Sequence, residues 1–170
     1  MLIEKEIMHF GIVLGEKREL KSPLSACKGL VFKGGIRVKA VLKENEMIMW
    51  EAPAPNSRRM GIYFERDITP TSNIAAGIVT IPAHQEQTKL SYHNEGEEIY
   101  YIVKGKGKFV LDDKEYDVED GTAVYVAPGI GHRAKNTGNE EMKIFYVNTP
   151  PVFGRVGGYI DFVKDWKRIS

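Results

Sequence analysis

Two histidines and one glutamate in the second half of the chain, His93, Glu98 and His132, have the types and spacing of metal ligands. Imidazole nitrogens and carboxylate oxygens hold divalent transition metals such as Fe, Mn, Ni, Zn and Cu. Residues 94–96 form a turn signal, so His93 and Glu98 are predicted at the facing ends of a hairpin, where cross-strand neighbours share a face. His132 opens a later predicted strand that can reach the same point. Spacing alone leaves two interpretations open, a metal site at these three residues or histidines that are ordinary hydrogen-bonded core or surface residues.

The elements that must position these side chains are predicted to be short β-strands. Between residues 75 and 148, β-branched and alternating runs are separated by turn residues, with no helical periodicity between them. The predicted strands are 75–81, 88–93, 98–103, 108–111, 114–118, 122–126, 132–136 and 142–148. Further strands are predicted upstream at 36–42, 47–50 and 60–65. This pattern is typical of an all-β sandwich or barrel.

Two stretches of the chain resemble the sequence motifs of the cupin superfamily. Residues 92–107 resemble the first motif, G-x5-H-x-H-x(3,4)-E-x6-G, whose second histidine, glutamate and final glycine are matched by His93, Glu98 and Gly105. The second motif, G-x5-P-x-G-x2-H-x3-N, is matched at four positions: Gly121, Gly129, His132 and Asn136. The resemblance implies that His93, Glu98 and His132 hold a divalent transition metal.

The resemblance also implies an architecture. We expect a single domain over residues 1–170 that folds as a cupin jelly-roll barrel, an antiparallel double-stranded β-helix. Residues 75–148 are its expected core and residues 1–74 an N-terminal extension with extra strands. Residues 149–170 are an aromatic tail, with a short helix over 161–168, that packs on the barrel or on a partner subunit. Cupins often form dimers through their terminal strands, so a homodimer is expected.

The chain departs from the first motif at the position that matters most for chemistry. Ser91 stands where the family has its first histidine, and a neutral hydroxyl is a poor ligand for a transition metal. In one interpretation the remaining ligands form an open-sided metal centre, and Ser91 binds a water or the substrate beside it. In the other, the site has lost its metal and its polar residues line a pocket. The departures at Gln85 and Ala127 lie in turns and cost the fold little.

Three more residues are candidates for the site. Gln87 lies four positions before Ser91, on the same face of a regular strand, and its amide oxygen is a possible ligand. Lys89 shares that parity and is expected at the pocket mouth, where a cation would favour a carboxylate or phosphate ligand. Tyr100 shares the face of Glu98 and is the candidate proton donor if the reaction has no redox step.

Other polar residues are expected to lie outside the site. Arg58, Arg59 and Arg66 are interpreted as solvated surface charges, with pairing to an anionic substrate as the alternative. His84 is expected in an exposed loop, and His9 is expected to be structural.

Composition excludes several classes of function. With 24 Lys and Arg against 23 Asp and Glu, the net charge of +1 gives no electrostatic reason to expect nucleic acid or an anionic membrane as partner. A single cysteine, Cys27, excludes an intramolecular disulfide. The chain shows neither a signal peptide nor an apolar membrane span, so a cytoplasmic location is expected.

The function expected from the resemblance is a metal-dependent enzyme acting on a small polar metabolite, either an organic acid or a sugar derivative. Dioxygenase, isomerase, decarboxylase and lyase chemistry are all compatible with it. The alternative is a non-catalytic cupin that binds a small molecule and has lost its metal.

Overall fold

The computed structural model describes residues 30–31, 37–38, 41–56, 58–64, 71, 73–151 and 165–169. Apart from a 3-10 turn at Glu44–Glu46, the regular elements of these residues are strands. In chain order they are β1 (Leu30–Val31), β2 (Arg37–Val38), β3 (Ile48–Glu51), β4 (Arg59–Phe64), β5 (Ala75–Ile81), β6 (Glu97–Lys104), β7 (Gly107–Leu111), β8 (Lys114–Val118), β9 (Ala123–Val126), β10 (His132–Asn136), β11 (Met142–Thr149) and β12 (Lys167–Arg168). Within this part of the chain, no helix is long and apolar enough to cross a membrane.

Two antiparallel sheets face each other around the site. The larger has the order β12-β3-β4-β5-β11-β6-β9 and the smaller the order β10-β7-β8, while β1 and β2 pair separately. The strands alternate in burial, because successive side chains point to opposite faces of a sheet. In β11 the inward positions are Met142, Ile144, Tyr146 and Asn148, each of them buried. The predicted all-β cupin jelly roll is confirmed.

The hydrophobic core lies between these two sheets. The larger sheet contributes buried side chains from four of its strands, namely Ile81, Ile102, Val126, Met142 and Ile144. The smaller sheet contributes Phe109, Val118 and Ala134. A second cluster of Met60, Ile62 and Tyr146 continues the core, and Trp166 from the C-terminal segment packs against it. The described part of the aromatic tail therefore packs on the barrel.

Most predicted strands are found within one or two residues of their expected bounds, but three predictions need correction. Residues 88–93 do not form a strand; Ser91 makes only an isolated bridge to His132. In the strand predicted at 36–42, Arg37–Val38 pairs with β1 and residues 41–42 are not in a strand, while residues 36, 39 and 40 lie outside the described residues. The helix predicted over 161–168 is wrong where it is described, because Lys167–Arg168 pairs with β3. Residues 161–164 lie outside the described residues, as do His9, Cys27 and Arg66.

Two motif residues serve the fold rather than the site. Gly105 has a φ of +100°, a backbone conformation that other residues rarely adopt. A Cβ there would also lie 2.9 Å from the Cα of Met142, so both the conformation and the lack of space exclude a larger residue. Asn136 is fully buried, and its amide nitrogen donates to the backbone carbonyls of Ile81, Pro82 and Glu140. Its amide oxygen accepts a hydrogen bond from the Gly138 N–H at 2.8 Å. The Asn136 side chain therefore links the end of β10 to the end of β5 through hydrogen bonds.

Replacing Asn136 with alanine is expected to lower the free energy of unfolding by about 2–4 kcal/mol, because four buried or part-buried backbone groups lose a hydrogen-bond partner. Urea unfolding of the variant and the parent measures the difference. Asn139→Ala, at an exposed position of the same turn, is the matched control and should stay close to the parent. Equal destabilisation by both variants would contradict the role given to Asn136.

Candidate metal centre

His132 is fixed in place by its own backbone. As the first residue of β10 it exchanges two hydrogen bonds with Ser91, from Ser91 N to His132 O at 2.8 Å and from His132 N to Ser91 O at 2.9 Å. The imidazole lies beside the Phe109 ring, with the two rings nearly parallel at 9°. Only 3% of His132 is exposed. The ring therefore has one orientation, directed into the barrel.

Glu98 enters the site from the opposite sheet. It lies in β6 between β11 and β9, with Asn148 and Val126 as its cross-strand neighbours. Glu98, Tyr100 and Ile102 alternate with exposed residues along β6, as the sequence predicts, and only 3% of Glu98 is exposed. A carboxylate this deeply buried requires compensation by hydrogen bonds or by a cation.

His93 reaches the site from a loop rather than from a strand. The hairpin predicted between His93 and Glu98 is wrong, because β6 pairs with β11 and β9 instead. The loop is held by a hydrogen bond from Gly129 N to His93 O at 2.9 Å, so the two sequence motifs contact each other here. The three predicted ligands therefore come from a loop, one strand of the large sheet and one strand of the small sheet.

The structure brings the three side chains to one point. Nε2 of His132 lies 2.9 Å from Oε2 of Glu98, and Nε2 of His93 lies 3.4 Å from Oε1 of the same carboxylate. One ligand atom from each residue lies within 4.8 Å of the other two. Two atoms bound at about 2.0–2.1 Å to one ion are about 2.9–3.4 Å apart at octahedral to tetrahedral angles. The separations to Glu98 therefore fit a shared divalent cation.

The contacts of the His132 ring are compatible with the same cation, or with a proton in its place. Its Nδ1 lies 3.3 Å from the carbonyl oxygen of Ile130, which can only accept a hydrogen bond. In the neutral ring, a proton on Nδ1 leaves a lone pair on Nε2, and that lone pair faces Oε2 of Glu98 at 2.9 Å. Two acceptors at this distance need a proton or a cation between them. Backbone fixation of the distal ring nitrogen is also usual for metal-bound histidines.

The ionisation states of the ligands suit a metal. Burial lowers the pKa of His93, against the opposing effect of the Glu98 carboxylate, so the ring is neutral at pH 7. Burial acts to raise the pKa of Glu98, but its contacts with His132, His93 and Tyr100 outweigh burial and the pKa is lowered. Neutral imidazole and ionised carboxylate are the forms that coordinate metals.

Tyr100 lies against two of the three ligand residues. Its hydroxyl is 3.1 Å from Oε2 of Glu98 and 3.0 Å from Nε2 of His132. Burial, together with the Glu98 carboxylate, raises the pKa of Tyr100 well above its ordinary value. The phenol therefore keeps its proton at neutral pH and can donate a hydrogen bond.

These groups line a cavity of about 70 Å³ between the two sheets. Ser91 lines it, as predicted, and its hydroxyl makes no hydrogen bond within the described part of the chain. Gln87 also lines it, but the Gln87 amide oxygen accepts a hydrogen bond from Ala134 N at 2.8 Å and is not free to coordinate. The remaining lining is largely apolar and includes Phe109 and Ile144.

Lys89 does not lie at the mouth of this cavity, in contrast to the prediction. It is exposed and lines a separate surface depression with Thr88 and Asp112. The prediction relied on strand parity with Ser91, and residues 88–93 are not a regular strand. His84 is exposed in a turn, as predicted.

Two cavity residues have no role in the predicted site. Asn148 is 2% exposed, and its amide nitrogen lies 3.4 Å from Oε1 of Glu98, while its amide oxygen has no hydrogen-bond partner among the described residues. Arg58, interpreted as a surface charge, lines the cavity as well. Both positions follow from strand alternation: Asn148 shares the face of Ile144 and Tyr146, and Arg58 shares the face of Met60. Extending that alternation to the strand ends would have found them.

Comparison with known proteins identifies the fold-bearing part of the chain. Residues 77–148 match the family model of the cupin domain. An uncharacterised protein of Methanocaldococcus jannaschii is 35% identical over 79 residues, which are 46% of this chain and 61% of that protein. The glucose-6-phosphate isomerase of Thermococcus onnurineus is 45% identical over 60 residues, 31% of this chain and 32% of the isomerase. The chain thus spans less than two thirds of the length of these relatives.

Solved structures show the same fold. The chain is similar to a predicted oxalate decarboxylase from Thermotoga maritima with a TM-score of 0.58 and 20% identity, over 65% of this chain and 98% of that one. A double-stranded β-helix protein from Klebsiella pneumoniae gives a TM-score of 0.55 at 16% identity, over 77% of this chain and 97% of that one. At these identities the likeness concerns the fold and not the reaction.

Proposed function

Because residues 77–148 place this chain in the cupin superfamily, we propose that it is a metal-dependent enzyme acting on a small polar metabolite, an organic acid or a sugar derivative. His93, Glu98 and His132 would hold one divalent transition metal ion: Fe, Mn, Ni, Zn or Cu. The observation that carries the proposal is the 2.9 Å approach of Nε2 of His132 to Oε2 of Glu98 inside a small, largely apolar cavity.

A bound metal would supply Lewis acidity toward a substrate oxygen and, if it is iron, redox chemistry. The chain itself supplies the surroundings. Tyr100 holds a proton with a raised pKa, which suits donation to an oxygen or carbon that becomes strongly basic during the reaction. The Ser91 hydroxyl is available to orient a ligand, and Phe109 and Ile144 form an apolar part of the cavity wall.

The reaction is proposed from the dioxygenase, isomerase, decarboxylase and lyase classes. Isomerisation is supported by the 45% identity to an archaeal glucose-6-phosphate isomerase over 60 residues. Transfer of a proton between neighbouring carbons is also a step that a protonated Tyr100 can assist.

A second candidate function is that of a non-catalytic cupin that binds a small molecule without a metal. The observation that favours it is Ser91, which lines the cavity where the family motif has a ligand histidine. Without a metal, the Tyr100 hydroxyl and a proton on Nε2 of His132 would together satisfy the buried Glu98 carboxylate.

Elemental analysis of protein purified without a metal-affinity tag separates the two functions. The enzyme proposal expects close to one metal ion per chain, lost on dialysis against a chelator and regained on reconstitution. His84→Ala is the matched control, since that histidine is exposed and remote from the cavity, and it should retain the metal. Metal-free protein that takes up none of Fe, Mn, Ni, Zn or Cu would contradict the proposal.

The single-domain organisation of residues 1–170 and the homodimer also stay proposals. The outer faces of β6 and β9 support a dimer, because they present apolar side chains to solvent: Ile99, Tyr101, Val103 and Tyr125. A solution molar mass equal to that of one 19.2 kDa chain would contradict the dimer.

A further inference from the structure

Arg58 lies in the β3–β4 connection and lines the cavity of the candidate metal centre. Its backbone is fixed by hydrogen bonds from Ala52 N to Arg58 O at 2.9 Å and from Arg58 N to Asn56 O at 2.6 Å. It directly precedes β4 and shares the inward face of Met60, and it lines the same cavity as His93, Glu98 and His132. The guanidinium is therefore a part of the cavity wall.

The charge of Arg58 has no acidic partner among the described residues. It forms no ion pair with Glu98 or with any other described carboxylate, and burial lowers its pKa. Its one ring contact is with Trp166, whose centroid lies 5.1 Å from the guanidinium carbon. The indole ring supplies no conventional hydrogen-bond acceptor, so the N–H donors of the guanidinium stay available for a ligand. A partly buried cation without a counter-ion is costly unless a ligand supplies one.

The neighbouring residue, Arg59, differs from Arg58 in its exposure and in its ion pairs. Arg59 points to the other face of β4, is exposed, and lies 3.5 Å from a Glu51 oxygen and 3.6 Å from a Glu141 oxygen. Its charge is therefore satisfied at the surface. Only Arg58 of this pair directs an uncompensated charge into the cavity.

The cavity thus has two differently charged parts. One contains Glu98 with His93 and His132, and the other contains Arg58, and Tyr100 lines the same cavity. The planar fork of a guanidinium matches a carboxylate or a phosphate, which accept two parallel hydrogen bonds from it. A neutral polyol offers no such match.

We infer that Arg58 is the specificity-determining residue of this cavity and binds the carboxylate or phosphate group of a small anionic substrate. The inference rests on the proposed function, because it places the anionic group of the substrate at Arg58 and its reacting end near His93, Glu98 and His132. It narrows the substrate to small acids, either carboxylic acids or phosphorylated sugars, and excludes neutral sugars. The contact with the Trp166 ring helps to position the guanidinium for the anion.

Isothermal titration with malonate, with inorganic phosphate and with neutral glycerol tests this inference. The parent protein, both metal-loaded and chelator-treated, is expected to bind malonate or phosphate and not glycerol. Arg58→Gln should weaken anion binding at least about tenfold, and Arg58→Lys should lie between the two, since lysine keeps the charge but loses the fork. Arg59→Gln is the matched control and should bind as the parent does. Preference for malonate or for phosphate distinguishes the two anion classes.

The metal content of each variant separates this inference from the proposed function. Arg58→Gln should keep the metal content of the parent and its circular dichroism spectrum, because Arg58 contacts none of the ligand residues. If the parent is purified without metal and takes up none on reconstitution, but still binds an anion through Arg58, the proposed enzyme is overturned and the anion site stands. Parent protein that binds neither anion, or Arg58→Gln that binds both like the parent, would overturn the anion site.

Discussion

Replacing Glu98 with glutamine is expected to weaken divalent metal binding by more than about 100-fold, since loss of groups that merely orient ligands already costs 10–100-fold. Glutamine has nearly the same shape as glutamate but offers a neutral amide. Glu98 is the residue that both imidazoles approach, at 2.9 Å from Nε2 of His132 and 3.4 Å from Nε2 of His93. Its lowered pKa means that the parent carries a full negative charge here at neutral pH. The substitution therefore removes the only anionic ligand of the predicted set.

Competition titration against a coloured chelator measures the affinity, with elemental analysis as an independent check. Glu97→Gln is the matched control, because that adjacent side chain is exposed on the other face of β6 and accepts a hydrogen bond from Tyr125 at 2.9 Å. The control should bind metal as the parent does. Unchanged affinity in Glu98→Gln would remove Glu98 from the site, and equal losses in both variants would point to a general effect of charge.

The clustering of three side chains could be predicted from the sequence, but the strand pairing that brings them together could not. His93, Glu98 and His132 were identified by residue type and by their places in two motifs, and the structure brings all three together. The predicted hairpin between His93 and Glu98 is wrong, because residues 94–96 do turn the chain but the next strand pairs with β11 and β9. Local turn signals fix the direction of the chain. Pairing with distant strands is decided by core packing, which sequence spacing does not report.

The polar residues that line the cavity show a second limit of prediction from the sequence. Asn148 and Arg58 could have been placed inward from strand alternation, since each shares a face with buried apolar residues of its own strand. Lys89 was placed inward by the same rule and lies outside, because the rule holds only in a regular strand. Periodicity is therefore reliable at the ends of well-formed strands and misleading in loops that only resemble them.

The C-terminal segment illustrates why a fold class is easier to predict than its borders. Residues 161–168 have no strong strand signal, yet Lys167 and Arg168 pair with Glu51 and Trp50 at the open edge of the large sheet. An unpaired edge satisfies its backbone groups with whatever extended segment can reach it. The segment that pairs with this edge depends on where the chain returns after β11, and no local property of the sequence determines that segment.

Replacing Ser91 with histidine is expected to strengthen metal binding at least about tenfold, which corresponds to about 1.4 kcal/mol. Ser91 and His132 are an antiparallel bridged pair, so their side chains lie on the same face of the pair at close range. Ser91 also lines the cavity, so an imidazole there can reach the point at which Glu98, His93 and His132 converge. If these three residues hold a metal with an open side, a fourth nitrogen ligand closes it.

The gain in affinity should come with a loss of ligand access. A closed coordination sphere leaves less room for a substrate oxygen, so malonate should bind the metal-loaded Ser91→His protein more weakly than the metal-loaded parent. Lys89→His is the matched control, because it adds a histidine two residues away in a surface depression outside the cavity. Competition titration against a chelator measures the metal affinity of the parent, Ser91→His and Lys89→His proteins. Equal metal affinity in parent and Ser91→His would mean that the three residues hold no metal that a fourth ligand can complete, and the metal-free binding function would then be favoured.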